Sequence, residues 1–181
     1  SKHGPYEEYH YNGKLKTKGY YKDGDPDGDW IIYNFLGAKI EEQHYQRNMK
    51  VNTWRGWYDN GNKRFEYIYD TLSNFIFHPI KKEWNEAGVL SYQRTIDRRG
   101  DGFEKKWSDN GLLIQSIELV NNSKELGSDK TWYPTGQLKY FLNNHRNADT
   151  TYVSYFQTGN MEELHLKSKS ELTESILNKN W

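Results

Sequence analysis

The 181-residue sequence predicts an all-β fold: an elongated, single-layer antiparallel meander of about seven β-hairpin repeats with a short C-terminal helix. Three observations lead there. Turn-type glycines recur at Gly13, Gly37, Gly61, Gly88, Gly111, Gly136 and Gly159, spaced by 24, 24, 27, 23, 25 and 23 residues. An aromatic stands four residues before each: Tyr9, Tyr33, Trp57, Trp84, Trp107, Trp132 and Tyr155. Aromatics are 16% of the chain, so chance would place about one there. Finally, seven Trp, fifteen Tyr and seven Phe occur in a chain whose mean hydropathy is only -1.10, which suits a thin sheet with few but bulky core positions.

Each unit reads as a strand of about six residues, a tight turn, a second strand of seven or eight, and a looser link. The first strand opens nine residues before the turn glycine, at Gly4, Gly28, Asn52, Pro79, Gly102, Gly127 and Thr150. Asn-Gly occupies three turns (Asn12-Gly13, Asn60-Gly61, Asn110-Gly111), which predicts turns with both residues at positive φ. Two residues past the glycine come Leu15, Lys39, Lys63, Leu90, Leu113, Leu138 and Met161, the two lysines being followed by Ile40 and Phe65. Fourteen such strands at about 4.8 Å each make a twisted sheet roughly 65 Å long.

The fourth link, Asp70 to Pro79, is the longest and carries Phe75-Ile76-Phe77 where other links are polar. The array is expected over 1–167. In 168–181, Ser168 and Glu171 have capping-box spacing, and Leu172, Ile176 and Leu177 have helical spacing. A helix there would cover the last sheet edge.

Period-two alternation sets the regular column, Tyr9 to Tyr155, on one face. Its strictness assigns it to the core as a structural aromatic ridge. The opposite face carries Tyr6, Trp30 and Trp54 in the first units but Lys81, Glu83, Glu104 and Lys106 later. Residues that the repeat does not demand are the better binding candidates. The expected partner contacts are therefore Tyr6, Trp30, Trp54 and Tyr58, with Phe75, Ile76 and Phe77 of the fourth link.

The recurring G-x-W-x-x-Y…N-G-x-L pattern, as in Gly28-Asp29-Trp30-Ile31-Ile32-Tyr33 and Asn12-Gly13-Lys14-Leu15, resembles MORN repeats over residues 3–167. It is similar in particular to the bacterial variant repeats of YwqK-like antitoxin proteins. Asn52, Pro79 and Thr150 depart from its glycine. The resemblance implies a non-catalytic module that binds another protein, in the antitoxin case by covering a toxin's working surface. Other MORN proteins imply the alternative, a membrane-peripheral or cell-surface scaffold bound to phospholipid.

Lys plus Arg and Asp plus Glu number 25 each, so no net field draws nucleic acid or anionic lipid. The chain has no cysteine, hence no disulfide and no thiolate zinc site. No apolar run approaches the ~20 residues of a membrane helix. A cytoplasmic location is expected; export or cell-surface display is the alternative, because the sequence begins at Ser1 rather than Met. No G-x-S-x-G, P-loop or dinucleotide fingerprint occurs, and the six histidines form no H-x-x-x-H pair. The expectation is no enzyme, no cofactor and no metal; catalysis by sheet carboxylates is a third reading with no motif behind it.

Two short matches are better read as turns. Asp23, Asp25 and Asp27 begin a D-x-D-x-D-G calcium loop, yet Asn34 stands where the closing Glu belongs. Arg99-Gly100-Asp101 spells the integrin tripeptide in a link where Gly and Asp are ordinary turn formers. The basic pairs Lys81-Lys82, Arg98-Arg99 and Lys105-Lys106 are interleaved with Glu83, Asp97, Asp101 and Glu104, which makes them a solvated face rather than a basic patch.

Overall fold

A computed structural model describes residues 2–70, 77–124, 127–143, 150–155, 157–158 and 161–167. These residues form an antiparallel meander in which strand order follows chain order, with no helix and no closure of the sheet on itself. Phe75, Ile76, Gly159 and the expected helix over 168–181 lie outside the described residues; Phe77 opens a strand.

The chain divides into two compact units, Ser1–Gln93 and Arg94–Trp181. The first holds β1 (Gly4–Tyr9), β2 (Leu15–Lys22), β3 (Asp25–Pro26), β4 (Gly28–Tyr33), β5 (Lys39–Gln46), β6 (Met49–Lys50), β7 (Asn52–Trp57), β8 (Lys63–Asp70) and β9 (Phe77–Trp84). After β10 (Leu90–Ile96), the second holds β11 (Gly102–Trp107), β12 (Leu113–Leu119), β13 (Ser128–Trp132), β14 (Leu138–Asn143), β15 (Thr150–Tyr155) and β16 (Met161–Lys167).

The tight turns differ from the expected ones. At His10, Asn34, Tyr58, Asn85, Ser108 and Tyr133 the backbone N–H donates to the carbonyl four residues on, and the carbonyl accepts from the glycine N–H three residues on. Only the glycine, at φ between 79° and 92°, is left-handed; Asn12, Asn60 and Asn110 are not. This is a type I turn closed by a glycine bulge. The asparagines serve through their side chains instead: Asn12 Nδ2 reaches Phe35 O (3.0 Å) and Asn60 Nδ2 reaches Glu86 O (2.7 Å), each in the following hairpin. Paired positive-φ residues lie in the links, at Asp23-Gly24, Arg47-Asn48 and Asn121-Asn122.

The column that opens each first strand has two physical origins. Gly4, Gly28 and Asn52 take φ of 118°, 75° and 57°, so Asn52 keeps the backbone of the glycine it replaces. At Gly102 and Gly127 the reason is space, since a Cβ would stand 1.9 Å from Thr95 O and 2.2 Å from Glu118 O.

Burial reverses the sequence assignment of faces. Trp30 (8% exposed), Val51, Trp54 (5%) and Tyr69 are buried in the first unit. The regular column is not: Tyr9 is 54% exposed, and Tyr33, Trp57, Trp84, Trp107, Trp132 and Tyr155 are half-buried. A register shift precedes the column residue in every hairpin whose pairing is defined, as at Glu8/Tyr9 and Gly56/Trp57. The column is regular because it marks the bulge, and its strictness reflects turn geometry more than core packing.

Candidate partner-binding face

On one face of the first unit the rings form a continuous chain. Tyr6 meets Tyr21 at 5.4 Å between centroids, Tyr21 meets Trp30 at 5.0 Å, and Trp30 meets Tyr45 at 6.3 Å. Tyr45 meets Trp54 at 5.0 Å and Trp54 meets Tyr69 at 5.2 Å. Pairing explains the order: in the first three hairpins the opening residue of the first strand lies opposite a tyrosine, as Gly4↔Tyr21, Gly28↔Tyr45 and Asn52↔Tyr69. Gly19 makes room for the Trp30 ring, since a Cβ there would come within 2.3 Å of the indole.

Lys2 lies over Tyr6 and Tyr21, and Lys50 lies 4.2 Å over Trp54 and 5.8 Å over Tyr69. Trp54 Nε1 donates to His44 O (3.0 Å), whereas Trp30 Nε1 is buried without a partner among the described residues. Burial is the main cause that raises the Tyr69 phenol to about 12 and also raises Tyr45, with the Glu41 charge adding to both. Of the expected contacts, Trp30 and Trp54 are therefore interior. Tyr6 is half-buried, and Tyr58 spends its hydroxyl on Trp84 O at 2.7 Å.

The opposite face carries two parallel rows. One is charged: Glu7, Lys18, Ile31, Glu42, Arg55, Glu66 and Lys82 are successive cross-strand partners from β1 to β9. Signs alternate wherever the row is charged. Arg55 bridges Glu42 (3.7 Å) and Glu66 (3.3 Å), and Lys63 adds a second cation 3.1 Å from Glu66. Burial alone would raise the Glu66 carboxyl, but hydrogen bonds and charge from Lys63 and Arg55 outweigh it, and the net shift is downward.

Two residues further along each first strand stands the half-exposed column of Tyr9, Tyr33, Trp57 and Trp84. Lys39 lies 4.6 Å over Trp57 and Lys63 lies 5.0 Å over Trp84. The lysines that broke the leucine column thus cover the next hairpin's indole by a cation–π contact in place of an aliphatic one. Tyr9 hydrogen-bonds Glu7, which raises its phenol pKa.

An open groove of about 470 Å³ lies at the turn end of the first unit, lined among others by Tyr58, Arg64, Phe65, Tyr67, Glu83 and Ser91. Phe65 and Tyr67 stack at 4.7 Å, and Tyr67 donates to Glu83 (2.6 Å). Arg64 and Lys81 already occupy these rings from above.

Residues 2–23 match the family model of the MORN repeat variant. That segment is the first hairpin with its linking turn, and the match supports a protein built of MORN-type repeats. No curated protein matches the chain. MORN repeats are in general non-catalytic modules that bind protein or membrane.

In the second unit the Trp30 column of the MORN-type pattern continues as Glu104 and Asp129. Glu104 is buried at 8% exposure, not wet as its charge suggested, and lies 3.3 Å from Arg94 and 2.6 Å from Lys124. Asp129 accepts from the Tyr140 hydroxyl at 2.6 Å. Sequence reasoning missed these polar centres; Glu104 falling two residues after Gly102, as Trp30 does after Gly28, was the available signal.

Three of the N-terminal aspartates have separate partners. Asp23 pairs with His3, Asp27 accepts from Arg47 N (2.9 Å) and Asp29 meets His44 at 2.6 Å. Among the described residues no three His, Cys, Asp or Glu side chains gather as a metal would require. Arg99-Gly100-Asp101 sits in a turn capped by Asp97, whose carboxyl is lowered chiefly by the backbone N–H of Asp101. Arg99 lies 3.3 Å from Asp97 and 3.7 Å from Asp101.

Proposed function

We propose that this chain is a non-catalytic binding module whose partner is another protein, engaged through the face bearing Tyr33, Trp57 and Trp84. The observation that carries this is the partial exposure of a regular Tyr/Trp column beside a row of paired charges. Tyr, Trp and Arg dominate the energetics of protein interfaces, and a fixed sheet presents them at little ordering cost. In its finer form the partner is a toxin whose working surface the sheet covers, with relief of growth inhibition on co-expression as the readout.

The test is affinity capture from cells of the source with the wild-type chain and a Tyr33→Ala/Trp57→Ala variant shown to be folded by circular dichroism. The variant should lose the captured partner, as expected for a weakening of about 30-fold or more at hot-spot positions. Equal capture by both would refute this face.

One observation favours a phospholipid surface as the second reading. Tyr11 (94% exposed), Phe35 and Leu36 (75%) protrude from the first two turns, Tyr11 and Phe35 lie 4.7 Å apart, and Lys14 stands alongside. Pelleting with anionic vesicles in low salt, lost in Tyr11→Ser/Leu36→Ser, would support it; no pelleting would remove it.

A further inference from the structure

We propose that Asn110-Gly111 is a self-modifying site, where deamidation runs faster than at the two other Asn-Gly turns. The chemistry is intramolecular. The deprotonated Gly111 nitrogen attacks Cγ of Asn110, a C–N bond forms, the amide nitrogen leaves as ammonia with a proton from water, and a five-membered succinimide results. Water then opens that ring at either carbonyl to give aspartate or isoaspartate. No oxidant or cofactor is consumed. Glycine permits this because it has no Cβ to hinder approach.

All three turns share one backbone, with the glycine N–H donating to the residue three before it at 2.9 Å. What differs is the amide that must rotate and leave. Asn12 is held at both ends: Oδ1 accepts from Lys14 N (3.0 Å) and Nδ2 donates to Phe35 O (3.0 Å). Asn60 is held likewise, by Asn62 N (2.9 Å) and by Glu86 O (2.7 Å). Asn110 is held only at Oδ1, by the Ser108 hydroxyl, and its Nδ2 has no partner among the described residues. A donor locked to a carbonyl of the next hairpin resists both the rotation towards the glycine nitrogen and departure as ammonia. The free Nδ2 of Asn110 is released from both constraints, and the Ser108 hydroxyl polarises the carbonyl under attack.

The product would change the hairpin between β11 and β12. Aspartate adds a negative charge next to Asp109, and isoaspartate inserts a backbone carbon into a turn closed by Ser108 O and Gly111 N.

The test is ageing of the intact protein in mildly alkaline buffer, followed by peptide mapping with mass spectrometry and isoaspartyl methylation. Asn110 should convert about fivefold or more faster than Asn12 and Asn60 in the folded chain. In denaturant the three rates should draw together, since the sites then share only the Asn-Gly dipeptide. Equal rates in the folded chain, or faster conversion at Asn12 or Asn60, would overturn the proposal, as would a rate order that persists in denaturant.

Discussion

Gly19 is the smallest residue on the aromatic face of β2 and the one with least freedom to change. In Gly19→Ala the new methyl would enter the Trp30 indole, and Gly56→Ala would meet Phe65 at 2.2 Å in the same way. Each should lower stability by about 1–3 kcal/mol, read as an earlier urea midpoint with unchanged slope. Asn52 gives a complementary test. Its φ of 57° suits glycine, so Asn52→Gly should be nearly neutral and Asn52→Ala should cost about 1 kcal/mol by thermal melting. Tyr69 sets an alkaline limit: its phenol holds its proton to about 12 in the folded chain against 10.0 when unperturbed. The raised value means that its contribution is complete below pH 10 and fades as pH rises towards 12. Denaturation midpoints that stay flat across that interval would contradict the assignment. Turn glycines were legible in the sequence because the need for positive φ leaves a residue-type signature. Gly19 was not, because its cause is a ring on the neighbouring strand.

Within a hairpin, the two Trp residues of β7 take opposite roles three positions apart. Trp54→Ala removes a buried ring and should cost about 3–5 kcal/mol, whereas Trp57→Ala removes a half-exposed one and should cost clearly less. Paired chemical denaturation curves decide it. The charged row across β5, β7 and β8 predicts an acid effect. Because Glu66 titrates below its ordinary 4.5, its stabilising share is present above that pH and disappears as pH falls through the lowered value. Lys63→Gln should soften that acid limb by slightly lowering stability above it, with stability below the limb unchanged. The hairpin meander and its turns at Gly13 to Gly136 were legible, since period-two patterning and glycine spacing are local. The identity of the buried face was not, because turn geometry makes the exposed column as regular as a core position would be.

At the scale of the molecule, each unit builds its interior from different chemistry on one backbone plan. The first fills the column with Tyr6, Trp30 and Trp54; the second places Glu104 between Arg94 and Lys124 at the same repeat position. A carboxylate between two cations is held by its partners, so losing one is costlier than its exposure implies. The column could be found in the sequence, but which charges would be buried depends on cations brought in from a neighbouring strand and a link.

The turns also give the repeat a polarity. His10 reaches Tyr33 O (3.0 Å), Tyr58 reaches Trp84 O (2.7 Å) and Tyr133 reaches Tyr155 O (3.1 Å), each from one hairpin to its successor. The acceptor is a peptide carbonyl, which every amino acid supplies whatever its side chain. A duplicated hairpin therefore finds its junction already satisfied on the downstream side, without matching substitutions in its neighbour. Gene duplication can lengthen such an array one unit at a time while the recognition residues drift independently, and a grafted hairpin should be accepted on the same terms.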